Sequence, residues 1–390
     1  PPSPLIPPPP TFTDGAAVAM ATVGRRAFRA ASLLLLAACC RPWAALQLLG
    51  SCWSSPFSRG ARARAARRAA GMEPGGSPLP GCVALVTGAS RGIGKGCALA
   101  LAKAGCTVYI TGRTVNASEF FPGTLEESAA DIAEAARLAG GGGGCTGVFC
   151  DHTDDAATEA VFERIDRDHG RLDVLVNNAY DVSNFPKEGK YWWDREYMDH
   201  WDTATNVGLR GHYMCSLLAA RRMAKPGSGL IVSISGPGGM HPEAKNLEGA
   251  AYRPPHRSIP YVIAKSATDR MMADMADDLK SVGVAAVSLW PGGTLTERIV
   301  SFMDADAMRK SGRFESPEFI GRSVVALAGD ADVLRKAGKV MMPHELALEY
   351  GFAEPDGSVP RDELNMLPLR DEMSAPPAYW VPDWDGYQRP

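Results

Sequence analysis

Thr87-Gly88-Ala89-Ser90-Arg91-Gly92-Ile93-Gly94 decides how this chain folds. The run before it, Val83 to Val86, is apolar and strand-like, and the small-residue stretch after it reads as a helix to about Lys103. Glycines at 88, 92 and 94 let the backbone turn sharply and approach a ligand closely, because no Cβ intervenes. A helix N-terminus placed directly after them presents free N–H groups and a positive dipole end, which suits a pyrophosphate. The spacing G-x-x-x-G-x-G differs from the common G-x-G-x-x-G fingerprint, but the strand–loop–helix setting is the same. The stretch therefore predicts a dinucleotide site, with a purely structural βα turn as the bland alternative.

Outward from this loop, strand and helix signals alternate. Strand candidates are Cys82–Val86, Thr107–Thr111, Gly147–Cys150, Val174–Asn177, Leu230–Ser235, Val284–Leu289 and Lys339–Met342. Helical patterns lie between them at Glu126–Leu138, Ala156–His169, Trp201–Met223, Tyr261–Val282 and Pro317–Gly329. Short apolar runs alternating with helices argue for a parallel sheet covered on both faces. Right-handed crossovers then give an α/β, Rossmann-type doubly wound sheet of about seven strands, spanning residues 78–355. Gly140–Gly144 sits between a helix and a strand and reads as a connection rather than a phosphate loop. Residues 356–390, rich in Pro and Trp and without period, read as a tail over the domain or a neighbouring subunit.

Residues 1–77 read as a leader. The first 80 residues hold nine Arg, no Lys, and two acids, Asp14 and Glu73, so the remainder of a chain of net charge −3 is acidic. An Arg-, Ala- and Ser-rich, acid-poor segment without a core pattern fits a plastid or mitochondrial transit peptide. Its apolar run, Ala30 to Cys40, is too short to span a bilayer. A signal sequence, or a non-native extension ahead of Met72 with a cytoplasmic product, are the other readings. The overall charge carries no nucleic-acid signal. Cys82, Cys97, Cys106, Cys145, Cys150 and Cys215 are scattered singly, as buried reduced thiols would be. Asp151-His152-Thr153-Asp154-Asp155 reads as a loop with a helix cap, and no metal site is expected.

Cofactor choice is legible after the second strand, where NAD-binding folds place an acid on the ribose hydroxyls. Here Gly112 stands there, and Arg113 supplies a cation with Arg91 as a second. That combination favours a 2′-phosphate, hence NADP(H). Tyr261-Val262-Ile263-Ala264-Lys265 places a phenol and an ammonium one helical turn apart on one face. A phenol near its reference pKa of about 10 is a poor base at neutral pH. A neighbouring ammonium favours the phenolate by charge proximity, so the pair can transfer a proton.

With Asn177-Asn178-Ala179-Tyr180 and Pro291-Gly292-Gly293-Thr294-Leu295-Thr296, these stretches complete a set: TGxxxGIG, an NNAG-like motif, YxxxK and PGxxxT. The chain resembles the short-chain dehydrogenases/reductases over roughly residues 80–355. That resemblance implies hydride transfer between a nicotinamide and a ketone, aldehyde or secondary alcohol, with Tyr261 as proton donor or acceptor. It implies cofactor contacts from Gly88, Ser90, Arg91, Gly92, Ile93, Gly94, Arg113, Asp151, Asn177, Ala179, Tyr261, Lys265, Pro291, Gly292, Thr294 and Thr296. It also implies that Asn206 relays protons from Lys265 and that a serine, carried onto Ser235, polarises the substrate. The usual register of that serine falls on Gly236, and Tyr180 stands where the motif has Gly. An insert at His241–Pro260 and a mobile flap at Arg298–Phe314 are expected to shape the substrate entrance. The resemblance further implies a homo-oligomer built on the helices Trp201–Met223 and Tyr261–Val282. The other reading is a catalytically weak NADP-binding sensor or scaffold.

Overall fold

All four residues of Val83–Val86 (β1) are buried, as expected of a central parallel strand covered on both faces. β1 pairs in parallel with Thr107–Gly112 (β2) on one side and Val174–Asn177 (β4) on the other. The computed structural model describes residues 77–116, 123–181, 198–236, 259–301, 304–312 and 314–360. Within them Gly144–Phe149 (β3), Gly229–Ile234 (β5) and Val284–Leu289 (β6) extend the sheet, together with Val340–Met341, numbered β9 below. The order β3-β2-β1-β4-β5-β6-β9 is the expected seven-stranded, doubly wound parallel sheet. The order reverses between β1 and β4, so the loop after β1 opens into the crevice where such sheets bind ligands.

The helices follow their local signals. Gly92–Lys103 (α1) begins directly at the glycine loop. Leu125–Ala139 (α2) starts with a capping box between Thr124 and Glu127 and ends at Gly140 in the left-handed region. That ending makes residues 140–143 a connection, and β3 begins at Gly144, three residues earlier than the sequence suggested. Asp154 caps Asp155–His169 (α3) through the N–H groups of Ala156 and Ala157. His152 is buried, with its ring nitrogens on the hydroxyls of Thr111 and Thr158 at 2.7 and 3.2 Å.

The stretch expected as one helix from Trp201 is built in three parts. Met198–Asp202 (α4) runs into a π-helical segment, Thr203–Gly211, and on into His212–Met223 (α5). Ile259–Lys280 (α6) is the longest of the described helices. Beyond β6, Gly293–Thr294 (β7) pairs in parallel with Phe314–Glu315 (β8), forming a neck. Glu297–Val300 (α7) and Ala305–Lys310 (α8) lie between the two strands of that neck, within the expected flap. Pro317–Gly329 (α9) and Pro343–Tyr350 (α10) complete the layer. α9 packs closely on α1: a Cβ at Gly96 would fall 2.1 Å from the carbonyl of Pro317. Among the described residues the cysteines carry no disulfide, and no helix is long and apolar enough to cross a membrane. Residues 1–76, 237–258 and 361–390, which hold the leader, most of the insert and most of the tail, lie outside the described residues.

Candidate active site

Gly88 turns at φ +65° and Gly92 at φ +58°, conformations that a side chain strains. A Cβ at Gly88 would stand 2.6 Å from the Cα of Ala179, and one at Gly94 would stand 2.4 Å from Asn178 Nδ2. The loop is thus pressed onto the end of β4. Thr87 and Asn178 fasten it there. The N–H groups of Asn178 and Ala179 donate to Thr87 Oγ1, and Asn178 Nδ2 donates to the carbonyls of Thr87 and Gly88 at 2.9 Å. The resemblance gave Asn177 a place at the cofactor and the central strand, and its bonds lie on the strand side. Asn177 Nδ2 donates to Ser216 Oγ at 2.8 Å and Ser233 Oγ at 3.3 Å, tying β4 to α5 and β5. Ser90 is buried and its carbonyl accepts from Ser128 Oγ at 2.7 Å, while Ile93 packs against the core.

The N-terminus of α1 already grips an anion. The Gly92 N–H donates to Glu297 Oε2 at 2.8 Å, so a side-chain carboxylate stands in for the expected phosphate group. Arg91 Nη2 donates to the Gly123 carbonyl at 3.0 Å. Burial lowers the pKa of Arg91, with the Glu297 carboxylate opposing. A cradle that Cβ atoms would fill, closed by a carboxylate, fits a dinucleotide pyrophosphate. Glu297→Gln is expected to tighten dinucleotide binding about fivefold by removing the competing charge. Fluorescence titration measures this, and unchanged affinity would reduce Glu297 to a packing role.

After β2 the structure adds partners that the sequence did not suggest. Arg113 Nη2 reaches Asp181 Oδ2 at 2.6 Å, and Nη1 reaches Asp151 Oδ2 at 3.3 Å. Asp151 also accepts from the N–H and hydroxyl of Thr153, at 3.0 and 2.9 Å. Arg113 therefore sits between two carboxylates while Gly112 leaves the strand end without an acid.

α6 carries Tyr261 and Lys265. Lys265 is buried, and its Nζ donates to the Ile234 carbonyl at 2.8 Å. Burial pulls its pKa down to about 8, with the Asp269 carboxylate opposing. Tyr180 stands edge-on to Tyr261, ring centroids 5.6 Å apart at 82°. Lys265 Nζ lies 5.0 Å from the Tyr180 ring centroid and 5.9 Å from that of Tyr261. Such ammonium–ring contacts stabilise the charged form. The Tyr180 hydroxyl is buried without a hydrogen-bond partner among the described residues, and burial pushes its pKa up.

Two expected residues point elsewhere. Ser235 Oγ donates to the Lys265 carbonyl at 3.1 Å and also approaches Asp269, so it braces α6. The next residue faces Tyr261: a Cβ on Gly236 would stand 3.0 Å from Tyr261 Oη. Successive residues of an extended chain face opposite ways, so a hydroxyl at 235 does not replace one at 236. Asn206 is exposed within the π-helical segment, and no hydrogen bond joins it to Lys265 among the described residues. The buried position is Gly208, where a Cβ would fall 2.5 Å from Tyr180 Cδ2. The Tyr180 ring fills the room that Gly208 leaves, a match that neither residue announces alone.

The Pro291–Thr296 turn meets the glycine loop from the other side. Thr296 Cγ2 would be 3.4 Å from a Cβ at Gly92, and Thr296 caps α7 through the Ile299 N–H. Thr294 Oγ1 donates to the Gly292 carbonyl at 3.1 Å. The Gly292 N–H donates to Glu315 Oε1 at 2.7 Å. Glu315, unmarked in the sequence, is buried, and that burial pushes its carboxyl up to about 8. A folded-state pKa raised above the unfolded value gives stability that is complete below about pH 4.5 and lost as pH rises toward 8. Glu315→Gln is expected to remove this loss, a slope of up to ~1.4 kcal/mol per pH unit. Urea unfolding of wild type and variant from pH 5 to 8 checks it, and parallel stability curves would refute it.

A glycine cradle at the switch point of a parallel sheet, with Tyr261 and Lys265 at the same edge, defines a nucleotide-dependent oxidoreductase of the Rossmann class. The family model described as short chain dehydrogenase matches residues 82–306, and the chain belongs to that family, whose cofactors are nicotinamide dinucleotides. It is 41% identical over 304 residues to Dehydrogenase/reductase SDR family member 1 of Mus musculus, covering 74% of this chain and 88% of the relative. It is 39% identical over 311 residues to the Homo sapiens protein of that name, covering 76% and 91%. Among solved structures, a variant of a Serratia marcescens short-chain dehydrogenase/reductase is 28% identical with TM-score 0.53, covering 68% of this chain and 97% of that one. A 7α-hydroxysteroid dehydrogenase complexed with NADH and 7-oxo glycochenodeoxycholic acid shares the fold at 23% identity and TM-score 0.53, covering 68% and 93%.

Proposed function

We propose that the protein is an NADP(H)-dependent carbonyl reductase or alcohol dehydrogenase acting on a small or medium apolar carbonyl compound. The observation that carries this reading is the Tyr261–Lys265 pair, with a buried ammonium beside a phenol that faces the side-chain-free Gly236. Gly88, Ser90, Arg91, Gly92, Ile93 and Gly94 would hold the pyrophosphate end. Arg113 and Asp151 would meet the adenosine, and Ala179, Pro291, Gly292, Thr294 and Thr296 would line the nicotinamide side. The bound cofactor supplies or accepts the hydride.

Tyr261 gives its proton to the substrate oxygen in reduction and takes it back in oxidation. Lys265 favours the phenolate by opposite charge. Tyr180 walls the pair from water. NADP(H) is supported by Gly112, which puts no acid at the strand end, together with Arg91 and Arg113, and a 2′-phosphate would take Arg113 over from Asp151 and Asp181. NADPH and NADH oxidation with a panel of ketones, aldehydes and quinones tests the reading. Turnover with NADPH in clear preference to NADH is expected, and equal use of both would refute the cofactor assignment.

A second reading, an NADP-binding sensor or scaffold, is favoured by Gly236, which stands at the position where the resemblance places a serine. Tight NADPH binding with no turnover across the panel would select it. Sedimentation at micromolar concentration tests the homo-oligomer proposed for the surfaces around α5 and α6, and a monomer alone would exclude it.

A further inference from the structure

The line of side chains on α6 does not stop at Lys265. Asp269 follows one turn later, so Tyr261, Lys265 and Asp269 occupy successive turns of one helix face. From the β6 side, Trp290 Nε1 donates to the two carboxylate oxygens of Asp269 at 3.1 and 3.0 Å. Trp290 itself is completely buried. The hydroxyls of Ser235 and Ser288 approach the same carboxylate. Removing a carboxylate from water is costly, and a neutral side chain could join α6 to β6 through the same indole. What the charged one adds is a negative partner for Lys265, whose hydrogen bond to the Ile234 carbonyl leaves its charge unbalanced.

We propose that Asp269 is a positioning residue for the proton-transfer pair: held by Trp290, its carboxylate keeps Lys265 an ammonium beside Tyr261. This rests on reading Tyr261 and Lys265 as that pair. Burial drives Lys265 to about 8 and Asp269 opposes it. Burial likewise pushes Asp269 up to about 6, with Ser235, Trp290, Ser288 and Lys265 opposing. Between those values the two charges coexist. The other groups facing Lys265 are the rings of Tyr180 and Tyr261, together with His212 from α5. Burial, with Lys265 adding to it, holds His212 at about 3, so it brings no charge at neutral pH. The role Ser235 plays also becomes clear: it is a brace between the Lys265 carbonyl and this carboxylate.

Asp269→Asn keeps the size and an acceptor for Trp290 but removes the charge. It is expected to move the alkaline limb of the kcat profile down by about one pH unit, a roughly tenfold loss at pH 9 and less than threefold at pH 7. The pH at which NADPH affinity falls, read by fluorescence without turnover, is expected to move by the same amount. Asp269→Glu restores the wild-type limb. Asp269→Ser, which leaves room for a water at Trp290, replaces the Asn variant if that one does not fold. Profiles superimposable on wild type, in kcat and in NADPH affinity, would overturn the proposal. Wild-type turnover in Tyr261→Phe would instead overturn the underlying pair, whatever Asp269 does.

Discussion

Tyr261→Phe is expected to lower kcat by about three orders of magnitude while changing NADPH affinity by less than about threefold. The phenylalanine keeps the edge-on packing against Tyr180, centroids 5.6 Å apart, so the pocket wall survives. What disappears is the hydroxyl that faces Gly236 and sits within reach of the Lys265 field. Among the described residues the nearest other phenol is Tyr180, and burial pushes its pKa up, with repulsion from Tyr261 adding to it. Stopped-flow NADPH oxidation, paired with a binding titration, separates the two quantities. Retention of more than a tenth of wild-type turnover would show that the proton comes from another source.

The second large effect runs the other way. Gly236→Ser is expected to raise kcat/KM by about ten- to a hundredfold. The added hydroxyl would extend from a Cβ that stands 3.0 Å from Tyr261 Oη, beside the oxygen that Tyr261 protonates. A preorganised donor at such a position is worth about 10²–10³ in rate. The close approach makes Tyr261 yield by a few tenths of an ångström, which takes back part of the gain. Gly236→Ala isolates that cost, because it adds the Cβ without the donor and is expected to fall below wild type. If the Ser and Ala variants behave alike, the absent hydroxyl does not limit this enzyme.

The cofactor half of the site was the easier half to read. Gly88, Gly92 and Gly94 announce themselves because backbone turns and close approach demand glycine locally, within eight residues. The seven strands are equally local, each marked by its own apolar run. The substrate half depends on matches between distant residues. Tyr180 looked like a simple departure from a motif until Gly208, in a π-helical segment, proved to be the space its ring needs. A π-helical turn has no composition of its own, so the expected helix from Trp201 concealed it. Ser235, on the Lys265 carbonyl, and Asn206, exposed, show the related point that a motif fixes residue type and not the direction of a side chain. Glu297, Glu315 and Asp269 reach their partners across the fold, and only the pairing reveals them. Asp269 alone left a trace, as the third member of a four-residue periodicity begun by Tyr261 and Lys265.

The neck made by β7 and β8 has a consequence for how this enzyme can diversify. Gly293 pairs with Phe314 and Thr294 with Glu315, so the chain leaves and re-enters the framework at neighbouring points. Adjacent strands lie only about 5 Å apart, and a loop already closed at its base adds little entropy when lengthened or exchanged. The segment between behaves as a cassette. Beyond Thr296 and Glu297, which meet the glycine loop, its length and side chains can change while Glu315 holds the turn beneath it.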